Sequence, residues 1–329
     1  MKKFLAVVSL FFKSYYSIPA LKGPDNKISA KSILKIFGII VLFVYILASF
    51  GFLAWQIYYN MYKIFSGIGL QKLLLVYALL YGSIFVVLIS FITSISTIYT
   101  SEMEAYIATL PIKPSYILSG KAGAVAVPQF FFSLLVMGSG FFIYGIFEHS
   151  PILFYVNCVL IMLAVTVIAV ALGYVLGIPL LAMSKLFRNR DRSMIVIGFA
   201  TMGFMLFFNA TTNRIMATSS NPEAFMQLMQ GSNDNFLRLL NSVPPLRFVL
   251  NTLLDPGNPI FTLALSVLLV LALGIAYGLF SLLAPLYQNV VRSFSENFIK
   301  KLNREQSSAL VHKETRSRGK LTEIGRAHV

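Results

Sequence analysis

The chain has 329 residues, 57% of them hydrophobic and only 12% charged, with a formal net charge of +15. Soluble domains are about 45–50% apolar and about 25% charged. Here the apolar residues form long blocks, several exceeding the ~20 residues that cross a bilayer as a helix, which excludes an ordinary cytosolic enzyme, a secreted disulfide scaffold and a disordered chain. The single cysteine excludes an internal disulfide and a cysteine-based metal cluster.

Residues 2–18 carry Phe4, Val7, Val8, Phe11 and Phe12 at helical recurrence, with Lys2, Ser9 and Lys13 mostly elsewhere. This predicts an amphipathic helix at the inner membrane surface, ended by Pro19 and Gly23-Pro24, its lysines toward anionic headgroups. Six spans follow, at about 33–59, 73–99, 124–147, 152–182, 194–210 and 260–286. They do not alternate as barrel strands do, so the expected fold is an all-α integral membrane protein with six transmembrane helices. The fourth span is longer than a bilayer requires, and Gly177 and Pro179 can bend it.

Lysine and arginine set the orientation. With the N-terminus inside, 22 of the 27 basic residues fall in cytoplasmic segments, with Lys185-Leu-Phe-Arg-Asn-Arg-Asp-Arg192 the clearest local cluster. Trp55, Tyr58, Tyr59 and Tyr62 stand where the first span meets the outer leaflet. The N-terminus is therefore expected on the cytoplasmic side. The positive charge then reports basic loops, and no nucleic-acid partner is expected.

The spans hold no Asp, Glu, Lys or Arg at mid-depth, which counts against an ion-coupled secondary transporter. Gln56, the Thr93–Thr97 run, Gln129, Asn157 and Asn209 read as interhelical hydrogen-bonding groups, or as part of a path through the membrane. Gly173-Tyr-Val-Leu-Gly177 and Gly274-Ile-Ala-Tyr-Gly278 have the small-xxx-small spacing that lets helix backbones approach. Cys158 reads as a small core residue. His149 has no ligand role. No catalytic constellation, cofactor or metal site is expected.

The segment 101–121 is the most informative. Ser101 and Glu104 have capping-box spacing, and the carboxylates of Glu102 and Glu104 suit a positive helix end. A short helix from Glu102 to about Thr109 is stopped by Pro111, and Pro114 starts the next one. Tyr106, Leu110 and Ile112 leave an apolar, charged knob in the cytoplasm, as a partner-binding element does. Gly120-Lys121 resembles the end of a phosphate loop, but Ser115 and Ala122 stand where Gly and Ser/Thr are needed, so nucleotide cannot bind there in that way.

The external stretch 211–259 is long for a connection. Short helices are expected in 221–240, and Val243-Pro244-Pro245 and Asp255-Pro256-Gly257-Asn258-Pro259 are turn signals. Residues Val290–Leu302 continue helically, and Arg304–Lys320 reads as a solvated basic linker.

On the basic N-terminal helix, the spans, the capped cytoplasmic helix and above all Glu102-Met-Glu-Ala-Tyr-Ile-Ala-Thr-Leu-Pro-Ile-Lys-Pro-Ser-Tyr-Ile-Leu-Ser-Gly-Lys121, residues 1 to about 300 resemble the ABC-2 type permeases. These are the membrane subunits of ATP-binding-cassette exporters. The resemblance implies a non-enzymatic permease of a bacterial cytoplasmic membrane that forms an export path and couples to a separate ATPase subunit. Its coupling helix would dock the ATPase through Glu102, Glu104, Tyr106, Leu110, Pro111, Ile112, Lys113 and Pro114. A second bundle would be supplied by another copy or by a missing C-terminal half. Residues 323–329, Glu-Ile-Gly-Arg-Ala-His-Val, resemble a translated sequencing adapter, so the native chain is expected to continue beyond about Thr322. The alternatives are an ATPase-independent membrane protein of immunity or sensory type and, behind it, a secondary transporter.

Overall fold

The computed structural model describes residues 2–16, 30–67, 69–99, 112–183 and 244–291, with short stretches between 195 and 210. The described regular elements are all helical: α1 Lys2–Tyr16, α2 Ala30–Gly67, α3 Leu73–Tyr99, α4 Pro114–Phe147, α5 Ile152–Met183, α6 Pro244–Leu254 and α7 Pro259–Val291. Five of them, α2, α3, α4, α5 and α7, are long and apolar enough to cross a membrane. The expectation was six. The remaining predicted span, 194–210, lies partly outside the described residues, and those described within it are helical.

Local chemistry explains the ends. Lys113 is extended, with φ −62° and ψ 135°, and Pro114 opens α4. Proline suits that first position because its missing N–H would have no intrahelical acceptor. Helix α2 closes on Gly69, at φ 71°, with the Leu70 amide donating to the Phe65 carbonyl at 2.8 Å. The α4–α5 turn uses His149 at φ 50°, and the Ser150 amide donates to the Gly145 carbonyl at 2.9 Å. Within α4, Pro128 interrupts the hydrogen-bond ladder and residues Leu134–Gly138 form a wider π turn. Helix α5 runs through Pro179 to Met183.

Two apolar cores stack along the bundle. One joins the end of α2, the start of α3, the second half of α4, the start of α5 and α6, around Met61, Leu75, Met137, Phe141, Phe154 and Leu253. The other joins the end of α3, the start of α4, the end of α5, α7 and α1, around Ile95, Leu118, Tyr174, Phe280, Val7 and Phe11. Helices α3 and α5 share an extensive contact, and α1 lies on the first part of α4. The apolar face of α1 therefore meets protein, with Val7 and Phe11 buried and Lys13 exposed.

The first part of α2 is different. Leu34, Phe37, Leu42, Val44 and Tyr45 are exposed on successive sides, Leu34 at 73%. A side chain of that kind fits hydrocarbon rather than water. The expected aromatic belt is redrawn: Tyr58 is buried, and the Tyr62 hydroxyl donates to Glu148 at 2.8 Å while its ring stacks on Phe147.

Candidate functional site

The predicted docking element falls on both sides of the described boundary. Glu102, Glu104, Tyr106, Leu110 and Pro111 lie outside the described residues. Ile112 packs on the second core, Lys113 is exposed, and Pro114 begins α4 as expected. The chain leaving this segment is thus anchored directly to the bundle. The cluster Lys185–Arg192 and the predicted helices in 221–240 also lie outside the described residues.

The anchor is a close junction of three helices. An added Cβ at Gly120 would stand 2.6 Å from Val7 Cγ1, so α1 crosses α4 at the closest spacing a glycine permits. One residue on, Lys121 is fully buried. Its ammonium donates to the Tyr287 hydroxyl at 3.2 Å and sits 5.4 Å from that ring's centroid and 6.0 Å from that of Tyr15. Lys121 thus ties α4 to α7 and faces α1, with aromatic faces completing its cation environment. Composition hid this residue as a loop charge. The usable signal was Pro114, which places Lys121 on the second turn of a helix.

That position differs from the one a phosphate loop would need. A phosphate loop presents successive backbone amides to the nucleotide. Residues 120 and 121 are inside α4, where amides bond along the helix, and the lysine is turned into protein. Among the described residues no group of three or more His, Cys, Asp or Glu is arranged to hold a metal ion.

The polar residues of the spans divide by partner. Gln129 donates to the Val86 carbonyl at 2.8 Å, joining α4 to α3. Asn157 accepts from Thr262 at 2.8 Å and donates to the Thr252 carbonyl at 3.5 Å, joining α5 to α7 and α6. Thr97 meets the Tyr174 hydroxyl at 2.9 Å, whereas Thr93 bonds back within its own helix. Gln56 is exposed and Asn209 lies outside the described residues. Interhelical bonding, the plainer of the two expectations, accounts for Gln129, Asn157 and Thr97. Cys158 is buried as expected.

A family model described as "Putative ATP-binding cassette" matches residues 27–324. No curated protein and no solved structure matches the chain. The matched family is an ATP-binding one, and this overturns the expectation of a permease subunit that forms the export path of an ABC-2 exporter. What remains of the resemblance is coarser: a component of an ATP-binding-cassette transporter system, carrying helices apolar enough to cross a membrane. Because the match runs through all of the described helices except α1 and far more than half of the sequence, the chain belongs to this ATP-binding-cassette family.

Proposed function

We propose that this chain is a membrane-embedded anchor on the ATP-handling side of an ATP-binding-cassette transporter system. The observation that carries the reading is one stretch of sequence: residues 27–324 match the cassette family and include five helices of membrane-crossing length and composition. A cassette function tied to such a bundle is held at the bilayer rather than recruited from solution. The bundle sits in a bacterial cytoplasmic membrane with its N-terminus inside, supported by the excess of basic residues in segments on that side.

ATP hydrolysis is assigned to a partner ATPase rather than to this chain. The support is local: Gly120-Lys121 lies within a helix with its lysine buried. The partner would seat on residues 102–114, of which Ile112 packs on the second core and Pro114 opens α4. A second bundle, if one is present, is a further copy of this chain.

The test is azido-ATP photolabelling and ATP hydrolysis, measured on the chain alone in nanodiscs and on the complex crosslinked in its native membrane. The expected result is labelling and turnover only in the complex, on a co-purified cassette ATPase. The pair Glu104→Ala and Leu110→Ala should release that partner while membrane insertion is unchanged. Labelling of the isolated chain with turnover would place hydrolysis here instead. A crosslinked complex without any cassette ATPase would remove the anchor reading.

A further inference from the structure

Between α4, α5 and α7 lies a cavity of about 160 Å³. Ser119, Ala122, Gly123 and Ala126 give it one wall from α4, at the spacing of a single helix face. Val167 and Val170 of α5 form the back. Leu273, Ala276, Tyr277 and Phe280 of α7 close the far side. Small residues on both facing helices create the space. The mouth opens outward between apolar side chains: Leu273 is half exposed and Tyr277 is 44% exposed.

One polar group breaks the apolar lining. Ser119 is only 7% exposed, and its buried hydroxyl has no hydrogen-bond partner. A buried hydroxyl without a partner is costly, and a serine in a helix ordinarily bonds back to its own backbone. Water is a poor guest here, since an ordered water needs two to four polar partners. Apolar cavities of about 150 Å³ stay dry and admit guests the size of benzene, roughly six carbons.

Depth supplies the rest. Helix α4 has 34 residues, about 51 Å at 1.5 Å each, against about 30 Å of hydrocarbon. Its first turns therefore stand at headgroup level. Ser119, five residues in, lies near the boundary where a phospholipid carries its ester carbonyls. Ala126, about 10 Å further along the axis, lies among the tails.

We propose that this slot binds one acyl chain of a membrane phospholipid, with the Ser119 hydroxyl turning from the wall to donate to the ester carbonyl at the head of that chain. The tail enters past Tyr277 and Leu273 and fills the space between Ala126 and Ala276. The site requires only that the helices are in a membrane, so it stands apart from the cassette assignment.

The test uses phosphatidylcholine with a diazirine on one acyl chain, in vesicles of unlabelled phosphatidylcholine holding the full chain. Adducts are mapped by mass spectrometry after illumination. Labelling at Ala122–Ala126 and Leu273–Tyr277 should exceed that at Leu42, Val44 and Phe52 of α2 by at least about fivefold. Ala126→Phe, or Ala276→Phe from the opposite helix, should bring the slot down to the α2 level and leave α2 unchanged. Ser119→Ala, which removes only the hydroxyl, should lower slot labelling severalfold and keeps the test open if both filled variants fail to fold. Slot labelling equal to that of α2 in the unaltered chain would mean annular lipid only and would overturn the site. So would labelling that resists every variant, or a photocrosslinker placed at Tyr277 that captures another protein segment instead of lipid.

Discussion

The two small-xxx-small spacings in the sequence make opposite demands on the structure, and a pair of alanine substitutions separates them. At Gly173 an added Cβ would lie 2.6 Å from Ser94 Oγ, 2.9 Å from the Ser90 carbonyl oxygen and 3.2 Å from its carbon. The serine side chain can turn away, but the Ser90 backbone cannot. Restoring ordinary contact near 3.4 Å requires α3 and α5 to part by roughly half an ångström, and a gap of that size forfeits about a quarter of the dispersion well along the seam. Overpacking of this kind costs about 1–3 kcal/mol, and the helix-propensity gain of Gly→Ala returns about 1 kcal/mol. Because this seam is extensive, the loss outweighs the gain. At Gly274 nothing lies within 4 Å of the added atom, so only the propensity gain remains. The net loss of up to about 2 kcal/mol, at about 2–4 °C per kcal/mol for a unit of this size, should lower the unfolding midpoint of Gly173→Ala by up to about 8 °C, and Gly274→Ala should leave it unchanged or raise it by up to about 4 °C. Buried Cys158, the one cysteine in the chain, provides the assay: a thiol-reactive dye fluoresces as heating exposes it, in one detergent for all variants. A midpoint for Gly173→Ala at or above the parent value would refute the backbone contact, and an equal fall for Gly274→Ala would refute the open face.

Replacing Asn157 by Leu removes its bonds to Thr262 and the Thr252 carbonyl. It should cost about 0.6–1.7 kcal/mol and speed amide exchange over residues 244–254. Exchange unchanged there would show that α6 is held by its apolar face alone. Phe11→Ala empties a fully buried ring site on α1 and should cost about 3–5 kcal/mol. Limited proteolysis reads it as cleavage within residues 2–16 while the rest of the chain stays intact. His149→Gly relieves a left-handed residue at φ 50° and should raise the midpoint, by about 1–2 kcal/mol less the entropy glycine loses on folding. A lower midpoint would mean that the imidazole does more than occupy the turn.

What the sequence made legible are the features written locally. Span two is Leu73–Tyr99 in both readings, and span four differs from α5 by one residue at its end, because unbroken apolar runs bounded by polar turns leave the helix little choice of limits. Pro114 marked the start of α4 for the same reason. The charged residues misled where long side chains reach out of their own depth. Lys63 was counted as loop, yet it lies in α2 with its ammonium over the Tyr59 ring at 4.5 Å. Lys121 was counted as a cytoplasmic charge on the helix begun at Pro114, yet it is buried against Tyr287 and Tyr15, which come from opposite ends of the chain.

Partner-dependent features were not readable in principle. Gly173 and Gly274 have identical spacing to their companions, and only the arrival of α3 distinguishes them. Tyr58 and Tyr62 have the composition of a membrane belt, but Tyr58 is buried in the first core, while Tyr62 bonds Glu148 and stacks on Phe147 near the surface. Ser119 carried no signal at all, being one of many serines until Ala122, Ala126 and Ala276 leave a space beside it. The docking segment is a third case. Pro114 was local and predicted the start of α4, the capped helix expected at 102–109 lies outside the described residues, and the kind of machine the segment serves was carried by family resemblance. The cassette match corrected that part, since a set of apolar helices describes an anchor as well as it describes a path through the membrane.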